Sequence, residues 1–272
     1  GRVEADLRDH PLELRHGYSF SGDVLSHETG SGGGDTLALG GSTSSRFDLG
    51  QLVASGVRSA GSAKGSATQY QGFKHYAKTG SGTWTLTGAQ NVAGDWRISA
   101  GTLQLGNGGA SGSLGTGAVT VDNGAGQGSM LQVNRGVSLS NAITVNNGGT
   151  LSNEGALKGA VSDMVGTATI HNGNGGSING VTGVSLANGG TVNNSGVGPA
   201  PAGTTASAIS GSSAGVRIFG DAGSVSNSAG ASISGGFFSV GVSIEAGGTL
   251  SNDGMGSKIS GGFAGVGFLN QS

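Results

Sequence analysis

The chain has no cysteine, which excludes disulfides and thiolate metal sites. Charge is scarce, at 10% of 272 residues, and the formal net charge is −2. Neither a nucleic acid nor an anionic membrane has an electrostatic reason to bind such a surface, so no nucleic-acid partner is expected. No apolar run approaches the roughly 18 residues a membrane helix needs. The opening GRVEADLRDHPLELRHGYSF has no apolar central block of the kind a signal peptide carries. Aromatics make up 5% and prolines number three, so neither a large aromatic core nor a proline-rich linker is available.

Glycine is abundant instead, with 60 residues, but it follows no every-third-residue period, which excludes collagen. Composition shifts near Lys78. Residues 1–78 hold 8 of the 13 Lys and Arg, 8 of the 15 Asp and Glu and 4 of the 5 histidines. A domain boundary is placed there: 1–78 as an irregular, partly β lead-in and 79–272 as a repetitive β region.

Short alternating runs recur from Thr79 onward. TWTLTG sends Trp84 and Leu86 to one face and Thr83, Thr85 and Thr87 to the other. WRI, LQL, VTV, LQV, VSL and ITV follow, each bounded by Gly, Asn, Ser or Asp. Period-two alternation marks a strand with one buried face, and the flanking residues supply positive φ or side-chain turn bonds. Longer units repeat as well. INGVTGVSLANGGTVNN opens at Ile178, ISGSSAGVRIFGDAGSVSN at Ile209, ISGGFFSVGVSIEAGGTLSN at Ile233 and ISGGFAGVGFLN at Ile259.

Strands this short bury too little alone, so successive coils must stack, pairing parallel strands about 4.8 Å apart. The expected fold is all-β, a right-handed parallel β-helix with coils of about 20–26 residues. A β-sandwich is the structural rival, but it does not require near-verbatim repeats. Asn153, Asn193, Asn227 and Asn252 follow the same GG/AG-T/S-L/V motif and are expected to stack at equivalent turns. The sequence stops at Gln271-Ser272 inside a repeat with no capping element, so it reads as a fragment of a longer protein.

KTGSGTWTLTG (Lys78 to Gly88) and WRISAGTLQLGNGGASGSLGTGAVTVDNGA (Trp96 to Ala125) resemble the passenger-associated repeat of bacterial autotransporters. Upstream, GGGDTLALGGSTSSRFDLG and QYQGFKHYAKTGSGTWTLTG are similar to the segment leading into those repeats. The resemblance implies export to the Gram-negative cell surface, or secretion, through a C-terminal translocator barrel. It does not imply an activity, because passengers of this type include adhesins, proteases, esterases and toxins on one scaffold.

Candidate sites are few. GSGGGDTLA (Gly30 to Ala38) nearly fits a calcium nonapeptide through Gly33, Asp35 and Leu37, but there is one copy and calcium needs about six to eight oxygens, so a turn is expected. His10, His16, His27, His75 and His171 have no partner at metal-ligand spacing, and His10 and His16 are expected to be solvated. No GxSxG elbow occurs, and GxGxxG-like spacings lack a following helix. Asp95, Asp122, Glu154, Asp163, Asp221, Glu245 and Asp253 are spread about one per coil, without the pairing of a polysaccharide-cleaving β-helix. Neither cofactor nor metal is expected.

SGVGPAPAGTTASA (Ser195 to Ala208) is an extra segment between two repeats, and insertions of this kind collect on one face of a solenoid. Pro199, Pro201 and Thr204 in it form a candidate partner-binding loop. Phe237, Phe238, Phe263 and Phe268 cluster in the last copies, where alternation places some of them in an inward stack. These features favour an adhesin or structural stalk without catalysis in this segment, with host-surface glycans, matrix proteins or a second copy as partners. The alternative is the stalk of an autotransporter enzyme, a serine protease or esterase, whose catalytic domain lies outside this chain.

Overall fold

The computed structural model describes residues 3–5, 11–26, 34–54, 69–90, 92–108, 112–196 and 206–268. Among them no α-helix forms, and the one helical element is a 3-10 turn, Leu49–Gln51. Strands assemble into sheets of four, fifteen and nine strands. Every strand pair is parallel. The chain visits the two large sheets in turn. His75–Lys78 enters the fifteen-stranded sheet, Thr83–Thr87 the nine-stranded one, Asp95–Ile98 the first again and Gly101–Leu105 the second. Each circuit therefore adds a strand to both sheets, a winding consistent with a β-solenoid.

Alternation within strands becomes columns across them. In the fifteen-stranded sheet one column runs Leu37, Tyr76, Trp96, Val119, Ile143, Val161, Val184, Val216 and Val242. In the nine-stranded sheet its counterpart runs Trp84, Leu103, Leu131, Leu151, Ile170, Val192 and Val225. All of these side chains are buried, so the core is a thin layer between two sheets. The aromatic members need partners for their polar atoms. Trp84 donates its indole N–H to the Gly40 carbonyl at 2.9 Å, and Trp96 donates to Gln90 Oε1 at 3.1 Å. Tyr76 and Trp96 stack at 5.0 Å between centroids.

Coil length varies more than the expected 20–26 residues. Equivalent residues are 19 apart from Trp84 to Leu103 and 33 apart from Val192 to Val225. Strand pairing constrains the strands, while corners lie outside the ladder and absorb insertions. The change of composition near Lys78 brings no break in the sheets. Thr36–Leu39 pairs with His75–Lys78, and Ser45–Asp48 pairs with Thr83–Thr87 across it.

The asparagine expectation needs one correction. The stacked set is Asn153, Asn172, Asn194, Asn227 and Asn252, in continuous register. Asn193 pairs with His171 on the outer side, because the buried position is two residues after Val192, as it is two after Leu151 and Val225. Asn172 is preceded by Ala168-Thr169-Ile170-His171 rather than by a double glycine, which hid it from the motif.

The phenylalanine expectation is also corrected. Phe237, Phe238, Phe263 and Phe268 are 81%, 90%, 84% and 59% exposed, so none joins an inward stack. Phe237 and Phe238 sit at a corner after Ser232–Ser234, outside any strand. Phe268 keeps the inward register of Ile244, but among the described residues no further strand covers it.

Candidate functional site

Three features of the described residues carry polar chemistry. The first is the corner at Lys78. Its side chain takes an inward position in register with Leu39 and Ile98 and is fully buried. Nζ donates to the carbonyls of Thr79 at 2.6 Å, Gly80 at 2.6 Å and Ala100 at 2.9 Å. Burial lowers the amine to about 8, and the charge of Glu13 acts in the opposite direction. Gly80 turns this corner at φ +67°, and a Cβ there would lie 2.4 Å from the Gly41 carbonyl oxygen of the adjacent coil. Glycine is thus required both by the turn and by the close approach.

The second feature is how the scattered acids are used. Asp95 accepts from the Ala118 amide at 2.8 Å, and Glu154 accepts from Asn174 Nδ2 at 2.6 Å. Asp163 accepts from the amides of Ala187 and Asn188. Asp122 is shared by Asn147 Nδ2 at 2.8 Å and Arg97 at 2.5 Å. The Asn147 hydrogen bond, then the Gly124 amide and Arg97, hold its carboxyl below the ordinary carboxylate range against the opposing effect of burial. Arg217 meets Glu245 through Nε at 2.6 Å and Nη2 at 3.1 Å, and this pairing lowers Glu245. Apart from the Gly124 amide, each of these contacts joins one coil to the next, so these five acids are staples between coils, whereas Asp253 accepts from Ser251 within its own strand. Among the described residues no three His, Asp or Glu side chains come together as metal ligands. Asp35 Oδ2 accepts from the Ser26 hydroxyl at 2.8 Å, and Gly33 lies outside the described residues.

The third feature is the outer face of the nine-stranded sheet. One row reads Thr83, Thr102, Met130, Thr150, Thr169, Thr191, Ser224 and Thr249. The row beside it reads Arg46, Thr85, Gln104, Gln132, Ser152, His171, Asn193, Ser226 and Ser251. Apart from Arg46 at its end, His171 is the titratable side chain of these rows, and its Nδ1 lies 3.1 Å from Asn193 Nδ2. At the far corner Phe237 and Phe238 form an exposed edge-to-face pair at 4.8 Å.

His16 is exposed, while His10 and His27 lie outside the described residues. So do Pro199, Pro201 and Thr204. The ends of their segment are placed: the Ser207 hydroxyl donates to the Ser195 carbonyl at 2.7 Å, so both ends meet at one corner. Sequence reasoning missed Lys78 as an interior charge. Its inward phase was readable from Tyr76, two residues earlier, but polarity argued against burial.

The parallel sheets and their stacked columns define a repetitive β scaffold. Within it, residues 77–105 match the family described as Passenger-associated-transport-repeat. The match supports an autotransporter passenger domain with repeats, and the family implies a secreted or cell-surface protein of Gram-negative bacteria. No curated protein and no solved structure matches the chain. Lys78, Gly80, Trp84 and Gly101 all fall within the matched residues, so the corner described above belongs to the repeat itself.

Proposed function

We propose that this segment is a right-handed β-helical passenger displayed on the bacterial surface or secreted, acting there as an adhesin or as a structural stalk. Its own side chains do no chemistry in this reading. The observation that carries it is the nine-stranded sheet's outer face, whose two rows are hydroxyl and amide side chains in continuous register apart from Met130, His171 and, at one end, Arg46. Such a face offers evenly spaced donors and acceptors about 4.8 Å apart to an uncharged partner. Right-handed winding follows the strong preference of parallel crossover connections. Host glycans, matrix proteins and a second copy of the chain are the partners proposed, and residues 195–208 form a second contact region.

The test is binding of the purified protein to glycan, matrix-protein and self-coated surfaces. Two variants accompany it: one with Thr150, Thr169 and Thr191 changed to lysine, and one lacking residues 197–205. Saturable binding abolished by the lysines places adhesion on the sheet face. Binding lost only in the deletion places it on the loop. No binding by the parent protein removes the adhesin reading and leaves the stalk.

A further inference from the structure

We propose that the carbonyl oxygens of Thr79, Gly80 and Ala100 form a monovalent-cation cage, that the Lys78 ammonium is its built-in occupant, and that the cage accepts a free primary ammonium ion once that side chain is removed. Three oxygens converge on one point at 2.6, 2.6 and 2.9 Å, and the occupant is fully shielded from solvent. An ammonium carries three N–H donors and no acceptor, so the number of bonds matches the cage with none left over.

Among the described residues no carboxylate is within ion-pair distance of Lys78, and Glu13 acts on it only from farther away. A buried charge without a counter-ion in contact is stable only where hydrogen bonds replace its hydration, and these three carbonyl dipoles do so. The oxygens exist at this point because of the corner glycines. Gly80 at φ +67° and Gly101 at φ +61° bring two coils so close that a Cβ on Gly101 would stand 2.5 Å from the Gly80 oxygen. A leucine at position 78 would continue the column from Leu39 to Ile98, yet it would leave all three carbonyls bare. At neutral pH the amine remains protonated, since burial lowers it only to about 8. The cage ties the corner of one coil, at 79–80, to the next coil, at 100, inside the matched repeat.

The experiment compares thermal midpoints at pH 7 of the whole protein, Lys78→Ala and Lys78→Met, in sodium, tetramethylammonium and n-propylammonium chloride at equal ionic strength. Propylammonium has the length and head group of the side-chain atoms that alanine lacks, whereas tetramethylammonium has no N–H. Lys78→Ala is expected to lose about 6–10 °C and to recover most of it in propylammonium alone. Lys78→Met fills the stem's space and is expected to stay low in every salt. A Lys78→Met midpoint equal to the parent's, or equal effects of propylammonium and tetramethylammonium on Lys78→Ala, would overturn the cage. Should both variants fail to fold, the parent's Lys78 amine decides by NMR. Through-hydrogen-bond couplings from its nitrogen to carbonyl carbons 79, 80 and 100 sustain the proposal, and a freely exchanging amine without them ends it.

Discussion

Asn172 donates its side-chain amide to the Asn194 side-chain oxygen one coil further on, at 2.8 Å, with both residues buried. Asn153 stands in the same relation to Asn172 at 2.7 Å, Asn194 to Asn227 at 2.8 Å and Asn227 to Asn252 at 2.7 Å. The ladder takes over a column that is apolar in earlier coils, where Leu86, Leu105 and Val133 hold the same register. Each amide also donates to backbone carbonyls, as Asn194 does to Ser232 at 2.8 Å. The ladder therefore closes corners as well as joining coils.

Asn194→Ala breaks the ladder in the middle, leaving the Asn227 oxygen and the Ser232 carbonyl without their donor. Urea denaturation should show a loss of about 2–4 kcal/mol. Asn252→Ala, at the exposed end, should cost under about 1 kcal/mol. Equal losses at the two positions would contradict a buried amide ladder.

The alkaline limb of stability should separate Lys78 from the buried tyrosines. The Lys78 amine is lowered to about 8 from 10.5, so between those values the unfolded chain binds more protons and stability rises with pH. Tyr70 and Tyr76 are pushed upward by burial, so their contribution is complete below about 10 and is lost above it. The stability gap between the parent and Lys78→Met should therefore widen from pH 8 to 10. Charged groups near this corner are Glu13 and its ion-pair partner Arg15. Parallel pH curves for the two proteins would mean that Lys78 titrates as it does in the unfolded chain.

Gly80→Ala combines a positive φ with a Cβ 2.4 Å from a backbone oxygen. It should destabilise by about 3 kcal/mol or more. Gly126 has a similar φ of +65° but nothing within 4 Å of its Cβ, so Gly126→Ala should cost only about 1–2 kcal/mol. Calorimetry on the pair distinguishes close approach from turn geometry.

Arg217 lies 4.6 Å over the Phe219 ring as well as against Glu245. Glu245 is held below its usual range by the Arg217 hydrogen bond, so its contribution is present above pH 4.5 and fades as pH falls through the lower folded value. The advantage of the parent over Arg217→Met, measured by denaturation, should shrink below about pH 4.5. An advantage unchanged at pH 3 would assign the arginine's role to packing on Phe219.

Replacing Phe237, Phe238 and Phe263 together by serine should leave the unfolding free energy, measured by urea denaturation, within about 0.5 kcal/mol of the parent's, because all three rings are exposed. A large loss would show that the rings pack against the parallel sheets in solution.

Much of this architecture was legible from residue order. Trp84 and Leu86, Leu103 and Leu105, and Val119 and Val121 alternate as buried strands should, and all six are buried. Register across coils was legible only where the repeats are nearly verbatim. The motif located Asn227 and Asn252 but chose Asn193 over Asn194, since the doubled asparagine left the phase open and only the pairing of Val192 with Val225 settles it. The phenylalanines misled because Phe237 and Phe238 occupy a corner, where strand phase no longer governs direction.

The sequence by itself determined the strand periodicity, the glycine corners and the need to stack, because these depend on local sterics and on alternation within a few residues. Tertiary structure alone decided which corner carbonyls converge on Lys78, which acids reach which neighbouring coil and which asparagine enters the ladder. Apart from the Thr79 and Gly80 carbonyls beside Lys78, those contacts link residues some 20–33 positions apart, and their geometry follows from strand register and corner length, quantities that no single repeat contains.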